Sequence, residues 1–136
     1  MIYLDTSAIV KLVAAEQESA SLIDWLNARR EESLVTSVIG HIELMRAIAR
    51  TRPDALIRAG NVASTIDTLV LTGAVAATAA TIPPAELRTL DAIHLATAYT
   101  HRAGLTAFCA YDRRLLEAAA SQGLPTVSPG GDGNVG

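Results

Sequence analysis

Four carboxylates stand out in the sequence because of the residues that surround them. Asp5 and Asp112 each follow a short apolar run, so each lies where a buried strand would end. Glu43 and Asp91 lie instead inside apolar, helix-forming segments. A carboxylate in such surroundings is costly to bury unless it is paired with a cation or bound to a metal ion.

If the four acids met at one place, their charges would repel one another. A hard divalent cation such as Mg²⁺ or Mn²⁺ removes that repulsion and prefers oxygen ligands. Because Mg²⁺ keeps bound waters and meets substrate phosphates, such a site suits the hydrolysis of phosphodiesters. The four acids therefore predict a metal centre with nuclease-type chemistry.

Each acid also has a simpler structural explanation when it is taken alone. The two strand-end acids can cap the helices that follow them. Glu43 can pair with Arg46, and Asp91 can pair with Arg88 three residues earlier. Capping and local pairing do not predict two strand-end acids together with two embedded helix acids, so we favour a shared site.

The apolar periodicity places these acids on alternating strands and helices. Strands are predicted over residues 1–4, 33–36, 68–71, 107–111 and 126–127. Helices are predicted between them, and the clearest of these covers residues 86–102. This alternation predicts an α/β fold, with a central parallel sheet of about four or five short strands flanked by helices. Ligands of such sheets bind at the carboxyl ends of the strands, where the strand-end acids would lie.

Composition sets limits on the class of protein. The 136 residues make one ordinary domain, which we place at residues 1–129, with a disordered tail predicted at 130–136. No apolar run reaches the roughly 18–20 residues of a membrane span, and we expect a cytoplasmic protein without a membrane partner. The net charge of −3 argues against a purely electrostatic nucleic-acid binder. Ten of the eleven basic residues are arginines, however, which suit phosphate contacts.

Four segments resemble, in order, the acidic motifs of PIN-domain ribonucleases, and more narrowly those of the VapC-type toxins of bacterial toxin–antitoxin modules. The segments are residues 3–8 (YLDTSA), 36–37 with 42–44 (TS and IEL), 87–98 (LRTLDAIHLATA) and 110–115 (AYDRRL). The third segment is fairly specific, and the ordered set is strong. The resemblance runs from the first residues to about Pro129.

This resemblance implies a PIN fold and endonucleolytic cleavage of RNA. Asp5, Glu43, Asp91 and Asp112 would be the catalytic quartet that holds Mg²⁺, with Mn²⁺ able to substitute. The ion would orient the scissile phosphate and activate a water for in-line attack. The resemblance also implies a homodimer, an RNA substrate and a cognate antitoxin protein as partners.

Several neighbours of the quartet are candidates for supporting roles. Thr6 and Ser7 could order the waters of the metal, and Ser37 could support Glu43 from behind. His94 lies three residues after Asp91, where it could assist the reaction or be a satisfied core histidine.

Three arginines flank the predicted site in the sequence. Arg88, Arg113 and Arg114 could contact the phosphates of a nucleic-acid backbone. Ordinary ion pairing at the surface explains them equally well.

Other classes of protein share parts of this pattern. Phosphatases of the haloacid-dehalogenase type also begin with a strand that ends in an aspartate, but they need a second acid two residues later, where this chain has Ser7. A PIN-like nuclease acting on DNA or on particular nucleic-acid structures would use the same four acids. A non-catalytic interaction module of the same fold is a third alternative, against which the retention of all four acids argues.

Overall fold

The computed structural model describes residues 1–131 as a parallel sheet with helices on both faces. The strands are β1 Ile2–Leu4, β2 Leu34–Ser37, β3 Asp67–Leu69, β4 Ala107–Cys109 and β5 Thr126–Val127. The helices are α1 Thr6–Val13, α2 Ser19–Asn27, α3 Val38–Thr51, α4 Leu56–Ala63, α5 Gly73–Thr81, α6 Thr89–Thr100 and α7 Arg113–Ser121. The predicted α/β class and central parallel sheet are confirmed, and of the four or five short strands expected, the structure has five.

The first strand of the chain lies at the centre of the sheet. The strand order is β3-β2-β1-β4-β5, so the chain builds outward on one side of β1 and then returns to build on the other side. Tyr3 is in register with Val35 of β2 and with Phe108 of β4. The order reverses between β1 and β4, and a reversal of this kind opens a crevice at the carboxyl ends of the two strands.

Side chains that alternate along β1 divide the apolar interior into two clusters. Ile2 and Leu4 pack with α1, α2, α3 and α4 on one face of the sheet. Tyr3 packs with α6 and α7 on the other face. Because β1 is covered on both faces, every one of its residues is buried, as is usual for a central parallel strand.

The segment predicted as the clearest helix is shorter than expected. The apolar spacing predicts a helix over residues 86–102, but α6 covers only Thr89–Thr100. Arg88 has an extended backbone and precedes the helix, and a short 3-10 turn over Arg102–Gly104 follows it. The helix-type spacing of apolar residues continues past both ends of α6, whereas the helical backbone conformation does not. As a result, Arg88 is freed from the helix to face the predicted site.

The structure bears only in part on the predicted tail after residue 129, and it allows the helices to be checked for a membrane span. Residues 132–136 of the predicted tail lie outside the described residues, so the domain limit at 129 and the tail remain predictions. No helix within residues 1–131 is both long enough and apolar enough to cross a membrane.

Helix α3 approaches α6 closely because residue 40 is glycine. A Cβ atom there would clash with the hydroxyl of Thr36 and would lie 3.3 Å from Cε1 of His94. Both neighbours are buried, so neither can move away easily. The absence of a side chain at Gly40 is therefore what lets the two helices meet beside the predicted site.

Gly40→Ala should destabilise the protein, because the added methyl overpacks this contact. Overpacking typically costs about 1–3 kcal/mol, which exceeds the ~0.5–1 kcal/mol that alanine gains over glycine inside a helix. Gly60→Ala in α4 is the matched control, since its methyl group would meet nothing within 4 Å and should stabilise. Urea unfolding measures both variants, and shifts of the same sign would contradict the interpretation.

Candidate active site

The fold brings the four predicted acids to the carboxyl edge of the sheet, on four different elements. Asp5 follows β1 and Asp112 follows β4, and these two strands are neighbours. Glu43 lies on α3, and Asp91 lies in the first turn of α6. Acids that are far apart in the sequence thus lie near the end of the sheet where the strand order reverses, and Asp91 and Asp112 line one cavity there.

Asp5 is the most deeply buried of these acids. Its residue surface is only 4% exposed, and its Oδ1 atom accepts a hydrogen bond of 2.6 Å from the Ser7 hydroxyl. Burial, helped by the charge of Asp91, raises the pKa of Asp5 to about 6, although His94, Ser7 and the Ala8 N–H act in the opposite direction. A buried carboxylate whose pKa is raised in this way lacks sufficient positive charge around it.

Both strand-end acids also cap the helices that follow them. Asp5 Oδ1 accepts from the Ala8 N–H at 3.0 Å, and Asp112 Oδ1 accepts from the Leu115 N–H at 3.0 Å. Asp5 Oδ2 has no hydrogen-bond partner within residues 1–131, and Asp112 Oδ2 lies 3.7 Å from a guanidinium nitrogen of Arg88. Because each cap uses only one oxygen, capping leaves the second oxygen for a ligand, and the two explanations are compatible.

Glu43 is held by two donors that arrive from other elements. Its Oε1 atom accepts from the Thr6 hydroxyl at 2.6 Å and from His94 Nε2 at 2.8 Å. Burial by itself would raise the pKa of Glu43, but these two hydrogen bonds together hold it below its ordinary value. Glu43 is therefore kept as a carboxylate, and its Oε2 atom is left without a hydrogen-bond partner in the described part of the chain.

Arg88 lies across the mouth of the site and contacts two of the acids. Its Nε atom is 3.3 Å from Asp91 Oδ2, and another guanidinium nitrogen is 3.7 Å from Asp112 Oδ2. The Arg88 side chain is 80% exposed, so water screens both contacts and each contributes little to stability. Arg88 can thus leave these acids at small cost when another cation or a phosphate is present.

The remaining predicted residues have well-defined positions. The hydroxyl of Ser7 also accepts from the Tyr111 N–H, and Ser37 caps α3 through the Ile39 N–H. The two donors to Glu43 are thus Thr6 and His94, and the support predicted from Ser37 is untested. Water ordering by Thr6 and Ser7 likewise stays a prediction.

The three predicted arginines do not share one surface. Arg114 lines a cavity of about 260 Å³ together with Arg88, Asp91 and Asp112. Arg113 lines a separate depression with Tyr111. Of the three, Arg88 and Arg114 therefore share a cavity with two of the acids, and the substrate-binding role of all three stays a prediction.

Sequence reasoning did not assign the part that His94 plays. His94 is 1% exposed, and its imidazole is hydrogen-bonded to Tyr3 through Nδ1 and to Glu43 through Nε2. The available signals were its spacing of three residues from Asp91 and the tyrosine inside the strand that ends at Asp5. Those signals do not identify Glu43 as the partner.

The acids fit a divalent cation that keeps much of its own water. In the part of the chain that the structure describes, Asp5, Glu43 and Asp91 each have one oxygen without a hydrogen-bond partner, and Mg²⁺ and Mn²⁺ prefer hard oxygen ligands of this kind. Within residues 1–131, no three carboxylate, imidazole or thiol groups lie close enough to hold an ion unaided. Mg²⁺ typically binds through one or two carboxylates, with waters and substrate phosphates completing its shell, and this donor set matches that pattern.

Comparison with known proteins identifies relatives of this chain. The PIN domain model matches residues 2–121. Ribonuclease VapC35 of Mycobacterium tuberculosis is 46% identical over 132 residues, which cover 96% of this chain and 98% of that protein. The crystal structure of M. tuberculosis VapC20, described as a sarcin-ricin loop cleaving toxin, superposes with a TM-score of 0.71 at 18% identity, over 95% of this chain and 100% of that one. A toxin–antitoxin complex from Klebsiella pneumoniae has a chain that superposes with a TM-score of 0.63 at 21% identity, over 82% of this chain and 87% of that one.

The raised pKa of Asp5 predicts how stability depends on pH in the metal-free protein. Its folded-state pKa of about 6 lies above the ~3.9 of an unfolded chain, so the folded state binds more protons between these values. The free energy of unfolding of the wild type should therefore fall, relative to that of Asp5→Asn, as the pH rises from about 4 to about 6. Asparagine cannot ionise, yet it keeps an oxygen for the Ala8 N–H.

Urea unfolding in the presence of a chelator, at several pH values, measures this difference. Asp5→Asn should gain on the order of 2 kcal/mol relative to the wild type between pH 4 and pH 7. Asp24→Asn, on an exposed part of α2, serves as the control and should follow the wild type. A difference between Asp5→Asn and wild type that stays constant with pH would refute the prediction.

Proposed function

The chain belongs to the PIN-domain family and is a relative of the VapC ribonucleases, and on this premise we propose that it is a metal-dependent endoribonuclease acting as the toxin of a toxin–antitoxin pair. One observation carries the proposal at the level of the site. Asp5 is buried at the end of β1, beside β4, and one of its oxygens has no hydrogen-bond partner within residues 1–131. A carboxylate in this position is best stabilised by a cation that arrives with the substrate's phosphates.

PIN-domain ribonucleases of the VapC type are metal-dependent. We propose Mg²⁺ as the ion, with Mn²⁺ able to substitute, and we assign Asp5, Glu43, Asp91 and Asp112 as the residues that hold it, in part through water. When bound, such an ion supplies an activated water for in-line attack and stabilises the charge that develops on the phosphate.

The residues of the chain keep these acids in place while the substrate binds. The caps on α1 and α7 fix Asp5 and Asp112, because one oxygen of each is tied to a helix N-terminus. Thr6 fixes Glu43 from the side of α1. We also propose that Arg88 and Arg114, which line one cavity with Asp91 and Asp112, contact phosphates of the RNA backbone.

The proposed partners are RNA, a cognate antitoxin protein and a second copy of the chain, and the proposed location is the cytoplasm. An apolar groove of about 530 Å³ between α5 and α6 supports a protein partner close to the site. Ile82 and Ile93 line this groove, and Leu71 at its rim is 41% exposed. The homodimer rests on the family relationship alone.

Asp5→Asn and Asp91→Asn should each abolish most cleavage of RNA. Each change removes a charged oxygen ligand, and we expect the rate with Mg²⁺ to fall on the order of 100-fold or more. The measurement is the rate at which purified protein cleaves total RNA, with and without added Mg²⁺. Asp24→Asn is the matched control, and near-wild-type rates for Asp5→Asn and Asp91→Asn would refute the assignment.

Arg88→Gln should have opposite effects on the metal and on the RNA. Without the guanidinium, Asp91 and Asp112 lose a competing cation, so Mn²⁺ should bind about 2- to 5-fold more tightly, in line with the small value of an exposed ion pair. The KM for RNA should rise, because a phosphate contact is lost. Arg102→Gln, just beyond the other end of α6, is the control.

Calorimetry with Mn²⁺ and steady-state cleavage kinetics separate the two effects of Arg88→Gln. If both the Mn²⁺ affinity and the KM equal those of Arg102→Gln, Arg88 has no part in the site.

A further inference from the structure

We propose that His94 is a positioning residue that holds the Glu43 carboxylate ready for the reaction, and that the Tyr3 phenol holds His94 in the tautomer this requires. The inference deepens the proposed function and rests on it. It concerns a buried chain of hydrogen bonds that connects β1, α1, α3 and α6 at the edge of the site.

The hydrogen bonds determine which ring nitrogen carries the proton. The Ser37 N–H donates to the Tyr3 oxygen at 3.1 Å, so the phenol hydrogen is free to point elsewhere. His94 Nδ1 lies 2.6 Å from that oxygen, and because the Glu43 carboxylate at the other ring nitrogen can only accept, we assign Nδ1 of the neutral ring as the acceptor of the phenol hydrogen. Nε2 then carries the ring hydrogen and donates it to Glu43 Oε1 at 2.8 Å.

The phenol that begins this chain of bonds cannot turn away. Tyr3 is fully buried, and its ring stacks on Phe108 with centroids 5.3 Å apart and planes inclined by 7°. The His94 ring meets the Tyr3 ring edge-on at a centroid distance of 5.8 Å. The orientation of the imidazole is therefore set by the packed core under the sheet.

Glu43 is the group that gains from this arrangement. It has three rotatable side-chain bonds, and its side chain is 26% exposed, so without donors it would sample several rotamers. Thr6 and His94 both donate to Oε1, which turns Oε2 away from them. A carboxylate that is already held in one conformation loses little further rotamer entropy when it binds a cation or orients a water.

A second histidine in the same helical segment shows what a purely structural role looks like. His101 Nδ1 is 2.9 Å from the backbone carbonyl of Thr97, one turn earlier. That contact satisfies the ring locally and reaches none of the four acids. His94 instead spans the gap between α6 and α3, where Gly40 lets the two helices approach.

The test is calorimetry of Mn²⁺ binding to the full chain, combined with steady-state cleavage of RNA. His94→Leu should weaken Mn²⁺ binding by about 10- to 100-fold and lower kcat, with the KM for RNA unchanged. His94→Gln should recover most of this loss, because its amide can donate to Glu43. Tyr3→Phe removes one oxygen, keeps the stacked ring and should weaken Mn²⁺ binding several-fold. His101→Gln should match the wild type.

A double-mutant cycle separates positioning from simple stabilisation. If His94 acts through Glu43, His94→Leu should cause no further loss of Mn²⁺ affinity in a Glu43→Gln background. A further loss there, or a His94→Leu protein that binds Mn²⁺ within twofold of wild type, would overturn the proposal. If His94→Leu does not fold, as judged by circular dichroism, Tyr3→Phe decides, and wild-type affinity and kcat in that variant would overturn it.

The same measurements distinguish a failure of this inference from a failure of the proposed function. Wild-type protein that takes up no Mn²⁺ in an Asp5-dependent manner would refute the metal-dependent function and this inference with it. Asp5-dependent binding that is unaffected by both His94→Leu and Tyr3→Phe would refute the inference alone.

Discussion

The cost of removing the Asp5 carboxylate from water is the constraint on which the carboxyl edge of the sheet depends. The acid lies at the end of the central strand, where neighbouring elements cover it almost completely. Ser7 and the first turn of α1 compensate one oxygen. The other oxygen has no hydrogen-bond partner within residues 1–131, so the surroundings of Asp5 favour any positive charge that comes near it.

Some residues of the hydrophobic core also belong to the hydrogen-bond network of the candidate site. Tyr3 is a core residue by burial, yet its hydroxyl contacts the imidazole that holds Glu43. Phe108 stacks on the Tyr3 ring. Gly40 lies on the same helix as Glu43, and its lack of a side chain lets that helix approach His94. A change in the packing around Tyr3 can therefore shift Glu43, because hydrogen bonds connect the two residues through His94.

The apolar pattern of short segments was enough to predict the features of the site that depend on those segments alone. Asp5 and Asp112 follow apolar runs, and parallel strands end at one edge, so their neighbourhood could be read from the sequence. The helix predicted over 86–102 was too long, because periodicity does not register an extended backbone before Thr89 or a 3-10 turn after Thr100. The partner of His94 was not predictable, since the contact depends on how two helices pack across the sheet, which no short-range pattern encodes.

The absence of a closed cage of ligands within residues 1–131 bears on how the proposed enzyme would behave in a cell. An ion bound by few protein oxygens, with water filling the rest of its shell, is held only weakly by the protein itself. The fraction of proposed metal sites that hold an ion would then depend on the concentration of free divalent cations around the protein, because no ion would be retained permanently. The fraction of molecules competent to cut would rise and fall with the ionic state of the cell, even with no change in the amount of protein.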